Sequence, residues 1–276
     1  MKYQSIRFSD AFPNAVLETY IHDPHAEIRI GKRKAMIVCP GGGYCMLADR
    51  EGEPIALQYL AAGLNVFVLR YSVQKEAANY TPLIEACLAI KYVRDHADEY
   101  YVDPDHVFIT GFSAGGHLAA WTGTMWHIPE VAVHLDGADQ TLCKPTATIP
   151  CYPVISAKPG VRHYGSIKTL NGCTPDDEEG MARFSLECFV DEKTAPAFLW
   201  HTSTDAFVSV QNSLLYAEAL SKNNIPFELH IFPCGPHGLS LCNKETWADN
   251  PEMDMPYVAQ WLPMAIRWVQ ECPFEK

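Results

Sequence analysis

Short apolar runs alternate along this chain with longer segments whose apolar residues recur every three or four positions. The runs are "KAMIVCP" (34–40), "NVFVLRY" (65–71), "HVFITGF" (106–112), "ATIPCYPV" (147–154), "APAFLWHT" (195–202) and "FELHIFP" (227–233). All six predict strands; those at 34–40, 65–71 and 106–112, apolar on both faces, are expected to be buried in a mostly parallel sheet. "AVLETYIHD" (15–23) alternates instead, and predicts an early antiparallel strand.

Between the strands the period changes. Residues 51–62 put Ile55, Ala56, Tyr59 and Leu60 on one helical face, with Gly63 as the stop. Thr81 and Pro82 predict an N-cap and a first helical position, followed by Leu83, Cys87, Ile90, Val93 and Ala97 at helical spacing. "AGGHLAAW" opens another helix after residue 113. Residues 209–222 carry Val210, Leu214, Ala217 and Leu220 along a further one, and a helix near 256–270 closes the chain. Strands alternating with helices predict an α/β fold, with a mostly parallel, doubly wound sheet covered by helices on both faces. There is no internal repeat and no linker, so residues 1–276 are expected to form a single domain. The least regular stretch, 156–193, holds four glycines and the acidic "PDDEEG". It is expected to be a lid or rim insertion; a surface excursion with one short helix is the plain alternative.

Composition narrows the function classes. Apolar residues make up 48% and charged residues 20%, enough for a large core. The net charge of −12 and the lack of a dense Lys/Arg block argue against nucleic acid and anionic membrane surfaces as partners. No apolar run is long enough to span a bilayer. The opening "MKYQSIRFSDAFPN" has no signal-like apolar region, so a cytoplasmic location is expected. The ten cysteines are scattered without a C-x-x-C pair, and most are expected to be reduced and packed as small apolar residues. Asp176, Asp177, Glu178 and Glu179 form an acidic run with no His spacing for a metal; neither metal nor cofactor is expected.

Candidate chemistry sits in loops that follow predicted strands, at the sheet edge where α/β proteins bind ligands. Gly111-Phe112-Ser113-Ala114-Gly115 fits G-x-S-x-G, a sharp strand-to-helix turn that lifts a serine out of the backbone. The plain alternative is an ordinary βα turn. "PGGGY" (40–44) follows an earlier strand, where glycines let backbone N–H groups approach an oxyanion; Gly42, Gly43 and Ala114 are the candidate donors. Pro40 stands where related loops carry a histidine. Asp205, beyond the 195–202 strand, is a candidate acid, with Glu187 a weaker rival and a turn-capping role the plain alternative. His237, in "FPCGPHGLSL" after the last strand, is the candidate base. Of the other histidines, His22, His25, His96, His163 and His230 carry no motif and read as surface or packing residues. His117 reads as structural, and His201 as a brace for the acid loop.

The chain order Ser113, Asp205, His237 is that of the α/β-hydrolases, unlike those of chymotrypsin or subtilisin. Nearly the whole chain resembles that superfamily. "CPGGGYCMLADREGEPIA", "VLRYSV", "GFSAGGHLAA", "CYPVIS", "FLWHTSTDAFVSVQNSLLYAEAL" and "ELHIFPCGPHGLSL" resemble its acetyl-esterase and acetylxylan-esterase-like branch, with a glycine loop of the hormone-sensitive-lipase type. The resemblance implies a serine esterase acting on small acyl esters, notably acetyl groups on sugars or xylo-oligosaccharides. Tyr44, Arg50 and Glu51, close to the glycine loop, are candidate contacts for a polar substrate, although Arg50 and Glu51 also read as a structural ion pair. The same machinery cleaves amides, so a peptidase or formamidase is an alternative. A non-catalytic carbohydrate- or protein-binding member of the fold is another.

Overall fold

The computed structural model describes residues 1–25, 27–174 and 177–275. Among them, eight strands form one sheet: β1 (Lys2–Ile6), β2 (Val16–Ile21), β3 (Arg33–Cys39), β4 (Asn65–Arg70), β5 (Val102–Phe112), β6 (Thr148–Cys151), β7 (Ala197–Thr202) and β8 (Phe227–Phe232). The spatial order is β1-β2-β4-β3-β5-β6-β7-β8. β2 is antiparallel to β1 and β4, and every later pairing is parallel. The α-helices are α1 (Glu53–Ala61), α2 (Thr81–Asp95), α3 (Ala114–Met125), α4 (Pro129–Ala132), α5 (Tyr164–Leu170), α6 (Glu178–Ala182), α7 (Gln211–Lys222) and α8 (Trp261–Glu271).

β4 shows why the strands read as unbroken apolar runs. Val66 and Val68 join one core cluster with Met36, Ile55, Tyr59 and Trp261, while Phe67 and Leu69 join another with Leu83, Ile90, Leu118 and Trp121. Side chains of a strand alternate between faces, and helices cover both faces here: α2, α3 and α7 on one, α1 and α8 on the other. α8 docks through Trp261, whose ring stacks on Trp200 at 5.1 Å; such a pair is worth about 0.5–1.5 kcal/mol beyond its burial.

Several expectations shift at the element ends. β1 was not expected; its side chains are almost all exposed, so it leaves no apolar period, and its pairing with β2 holds it. α2 begins at Thr81 rather than Pro82. The Thr81 hydroxyl donates to the Ala78 carbonyl at 3.1 Å instead of accepting from the first turn, so Thr81 is not the N-cap. Residues 49–51 form a 3-10 turn before α1 begins at Glu53. On α7, Leu214 faces solvent, and the buried face is built on Asn212, Ser213, Tyr216, Ala217 and Leu220. β6 stops at Cys151 because Tyr152 turns to a positive φ ahead of Pro153.

Chain topology places the site. From β3 the chain moves outward to β4, then returns across β3 to β5. The crevice at such a switch point lies beyond the carboxyl ends of the two strands. Cys39 pairs with Gly111, so the loop starting at Pro40 and the turn at Ser113 leave the sheet side by side. The loops after β7 and β8 leave the same edge. Among the described residues, no helix is long and apolar enough to cross a membrane, and no His/Cys/Asp/Glu group is arranged to hold a metal.

Candidate active site

Ser113 sits in a backbone conformation that serine seldom adopts, with φ 53° and ψ −114°. Strand and helix hold it there. Its N–H donates to Cys151 O at 3.0 Å, and its carbonyl accepts from His117 N and Val154 N. The turn is tight enough to exclude side chains on either side. A Cβ on Gly111 would lie 2.0 Å from Gly115 O, and one on Gly115 would lie 2.1 Å from Cys39 O. The strain therefore buys a fixed position: the hydroxyl stands above the sheet edge, at the N-terminal end of α3.

Two long loops bring their residues to it. The Ser113 hydroxyl donates to His237 Nε2 at 2.8 Å, and His237 Nδ1–H donates to Asp205 Oδ2 at 2.6 Å. The carboxylate fixes the tautomer, leaving Nε2 as the acceptor. Asp205 Oδ1 accepts the backbone N–H groups of Phe207 and Val208, both at 2.9 Å, and His201 Nε2 approaches Oδ2 at 3.3 Å. Burial pushes the Asp205 carboxyl up. The hydrogen bonds from His201, His237 and Val208 N–H outweigh that, and hold it well below the ordinary carboxylate range. The two loops are tied to each other through Thr202 Oγ1 donating to Gly235 O and Gly235 N–H donating to Thr204 Oγ1.

The glycine loop lies beside the hydroxyl. Gly42 (φ 124°) and Gly43 (φ 66°) take conformations that favour glycine, and a Cβ on Gly42 would meet Met46 O at 2.1 Å. Neither residue's N–H, nor that of Ala114, donates to another group among the described residues. These are the three donors expected from the sequence. Gly42, Gly43 and Ser113 meet in one cleft of about 380 Å³, together with His237, Gly238 and Arg50.

Of the three expected substrate contacts, Arg50 and Glu51 line the cleft and Tyr44 does not. Tyr44 is fully buried, and its hydroxyl donates to His117 Nδ1 at 2.9 Å. His117 Nε2–H donates to Phe184 O at 3.1 Å, and burial lowers its pKa to about 4, so it is a neutral packing residue. Glu51 is also buried. Oε2 accepts Gly41 N–H at 2.9 Å and Oε1 accepts the Tyr152 hydroxyl at 2.7 Å, so both oxygens brace the structure. No Arg50–Glu51 ion pair forms among the described residues; Arg50 borders the cleft and donates through Nε to Gly238 O at 3.3 Å. Glu187 is far from the role of acid, accepting instead from Ser156 Oγ and Lys158 Nζ.

His163, read from the sequence as a surface or packing residue, lines the cleft. It precedes α5 and caps it: Nδ1 accepts from Ser166 Oγ at 2.8 Å and from Ser166 N–H at 3.3 Å. That leaves the proton on Nε2. Burial, then the proximity of His237, lowers its pKa, so the ring stays neutral. No local motif marks it; a histidine three residues before a serine at a helix start is the one signal available. The 156–193 stretch holds two short α-helices, α5 and α6, rather than one. Ile167, Leu170, Met181, Phe184 and Leu186 pack into the main core, while His163 and Gly165 reach the cleft. Asp176 of the acidic run lies outside the described residues, and Asp177 caps α6 by accepting Gly180 N–H at 2.8 Å. All ten cysteines are free thiols, six of them buried; Cys45, at the cleft, is exposed.

The BD-FAE family model matches residues 23–220. The chain is 36% identical over 239 residues to endo-1,4-beta-xylanase B of Butyrivibrio fibrisolvens, covering 83% of this chain and 35% of that protein. It is 28% identical over 233 residues to an acetylxylan esterase of Xylanibacter ruminicola, covering 83% of this chain and 45% of that protein. The chain thus spans less than half the length of these two relatives. Among solved structures, an acetyl ester-xyloside bifunctional hydrolase from Caldicellulosiruptor lactoaceticus superposes with a TM-score of 0.82 at 36% identity, covering 98% of this chain and 97% of that one.

Proposed function

The chain belongs to the BD-FAE family and has the α/β-hydrolase fold, and on that footing we propose that it is a serine esterase that removes short acyl groups, acetyl above all, from sugars or xylo-oligosaccharides. The observation that carries this reading is the hydrogen-bonded series Ser113–His237–Asp205 beside three undirected backbone N–H groups. His237 Nε2 takes the proton of Ser113 as Oγ attacks the ester carbonyl. The carbonyl oxygen becomes an oxyanion held by the N–H groups of Gly42, Gly43 and Ala114; each such donor is worth about 3–4 kcal/mol in the transition state. Asp205 keeps His237 in the tautomer that can accept, and stabilises the imidazolium that forms.

Collapse of the tetrahedral intermediate expels the alcohol, which takes the proton back from His237. The acyl group remains on Ser113 until water, activated by the same histidine, releases the carboxylic acid. Every group these steps need is a side chain or backbone N–H of this chain. Acetyl sugar esters are favoured over other esters by the activities for which the acetylxylan esterase and the acetyl ester-xyloside hydrolase that this chain resembles are named. A panel of acetyl, butyryl and octanoyl 4-nitrophenyl esters, acetylated xylan and an aminoacyl anilide tests the reading. Acetyl esters and acetylated xylan are expected to be the best substrates; preference for the octanoyl ester or the anilide contradicts it.

A further inference from the structure

A second cleft, of about 610 Å³, shares only His237 with the first among their lining residues. It is built by the loops that follow β7 and β8 and by the segment before α8, with Thr204, Phe207, Pro236, Glu252, Asp254 and Met255 in its wall. It borders neither Ser113 nor the glycine loop. Phe207 stands out there. The residue is 74% exposed, and its ring stacks on the His237 imidazole at 6.2 Å and 27°. Among the described residues it is the exposed large apolar side chain that lies against that histidine.

The geometry of acyl transfer gives this cleft a direction. The ester's carbonyl oxygen must face Gly42, Gly43 and Ala114, and its carbon must face Ser113 Oγ. The leaving oxygen receives its proton from His237 Nε2, so it must come within hydrogen-bond reach of that atom. The alcohol half of the substrate is therefore the part that lies against His237, the residue the two clefts share. The chemistry of the wall limits what that alcohol can be. Phe207, Pro236 and Met255 offer an apolar floor with one open aromatic face. Glu252, Asp254 and Thr204 offer hydrogen-bond acceptors, and among the described residues no Lys or Arg lines the cleft. An aromatic face packs against the C–H face of a pyranose ring, and carboxylates accept from its hydroxyls. An anionic sugar would meet two like charges.

We infer that this second cleft is the subsite for the alcohol half of the substrate, and that it takes a neutral sugar chain with one ring seated on Phe207. The inference rests on the esterase reading above and adds the place and chemistry of its leaving group. In a deacetylation it holds the released oligosaccharide, while the acetate leaves from the first cleft.

The test compares kcat/KM for acetylated xylotriose with kcat/KM for methyl acetate, whose one-carbon alcohol does not reach the second cleft, in the wild type, Phe207→Ala, Phe207→Trp and Asp254→Asn. Because Phe207 touches His237, the readout is the ratio of the two constants, which cancels any general loss of catalysis. The ratio is expected to fall about tenfold or more in Phe207→Ala and a few-fold in Asp254→Asn, and to be retained in Phe207→Trp, the tenfold step being the loss of one good contact. A ratio unchanged within about twofold in both Phe207→Ala and Asp254→Asn overturns the subsite. Wild-type activity on methyl acetate alone overturns the sugar occupant but leaves the esterase. Inactivity on both substrates overturns the esterase reading itself.

Discussion

Glu51 Oε2 accepts the Gly41 N–H at 2.9 Å from beneath the glycine loop, and its other oxygen accepts the Tyr152 hydroxyl. Tyr152 in turn accepts Ser240 N–H at 2.9 Å and packs its ring edge-on against His237. One buried carboxylate thus sets the height of the glycine loop relative to the histidine loop. Both loops must hold within fractions of an ångström for oxyanion donors and base to meet one ester.

Replacing that carboxylate separates positioning from substrate contact. Glu51→Gln leaves either Gly41 N–H or the Tyr152 hydroxyl facing an amide donor. It is expected to lower kcat about tenfold with little change in KM, and to cost about 1–3 kcal/mol of stability for the donor left unpaired. Steady-state kinetics and urea unfolding measure both. A rise in KM with kcat unchanged shows instead that Glu51 touches the substrate, as its place in the sequence suggested.

The proposed role of Asp205 ties catalysis to acid stability. Its folded pKa lies below the ordinary 3.8, so as the pH falls the unfolded chain takes up the proton first. The stability it contributes is therefore complete above that value and is lost on further acidification through the folded pKa. Asp205→Asn is expected to be less stable than the wild type at pH 7, with the gap narrowing below about pH 4. It is also expected to lower kcat on 4-nitrophenyl acetate by about 10³–10⁴-fold, because an amide no longer enforces the His237 tautomer. A gap that widens in acid contradicts the assignment.

Glu85 behaves in the opposite sense. It is buried on α2, where burial pushes its pKa up to about 7 despite hydrogen bonds from Ser72 N–H and Ser72 Oγ. Between the unfolded value of 4.5 and that folded value, the native state holds a proton the unfolded chain has released. Stability therefore declines as pH rises through this window, by a few kcal/mol at about 1.4 kcal/mol per pH unit. Glu85→Gln removes the charge and the decline with it. Urea midpoints at pH 5 and pH 8 are expected to differ in the wild type more than in Glu85→Gln; equal differences contradict the buried, proton-holding state.

The parts of this molecule legible in its sequence share one physical origin. Strands covered on both faces need continuous apolar residues, so β3, β4, β5 and β7 announce themselves. Ser113 and Asp205 stand out because each occupies a loop just past such a strand, and His237 because it follows the last, edge strand; glycines flank Ser113 and His237. β1 escapes notice because pairing, not burial, holds it. Tyr44 misleads because its partner His117 lies 73 residues away, and the brace that Glu51 gives Tyr152, 101 residues away, is hidden in the same way. Nothing beside them in sequence distinguishes a residue that faces the substrate from one that supports the loop. His163 is hidden for the same reason, since only the packing of 156–193 against the core carries it to the cleft.

Covalent labelling reads the nucleophile directly. The folded protein is treated with a fluorophosphonate, digested, and its peptides weighed. The expected result is a single adduct on Ser113, absent from Ser113→Ala, whose rate on 4-nitrophenyl acetate falls about 10³-fold or more. An adduct on another residue, or a Ser113→Ala protein that keeps most of its activity, would contradict the mechanism.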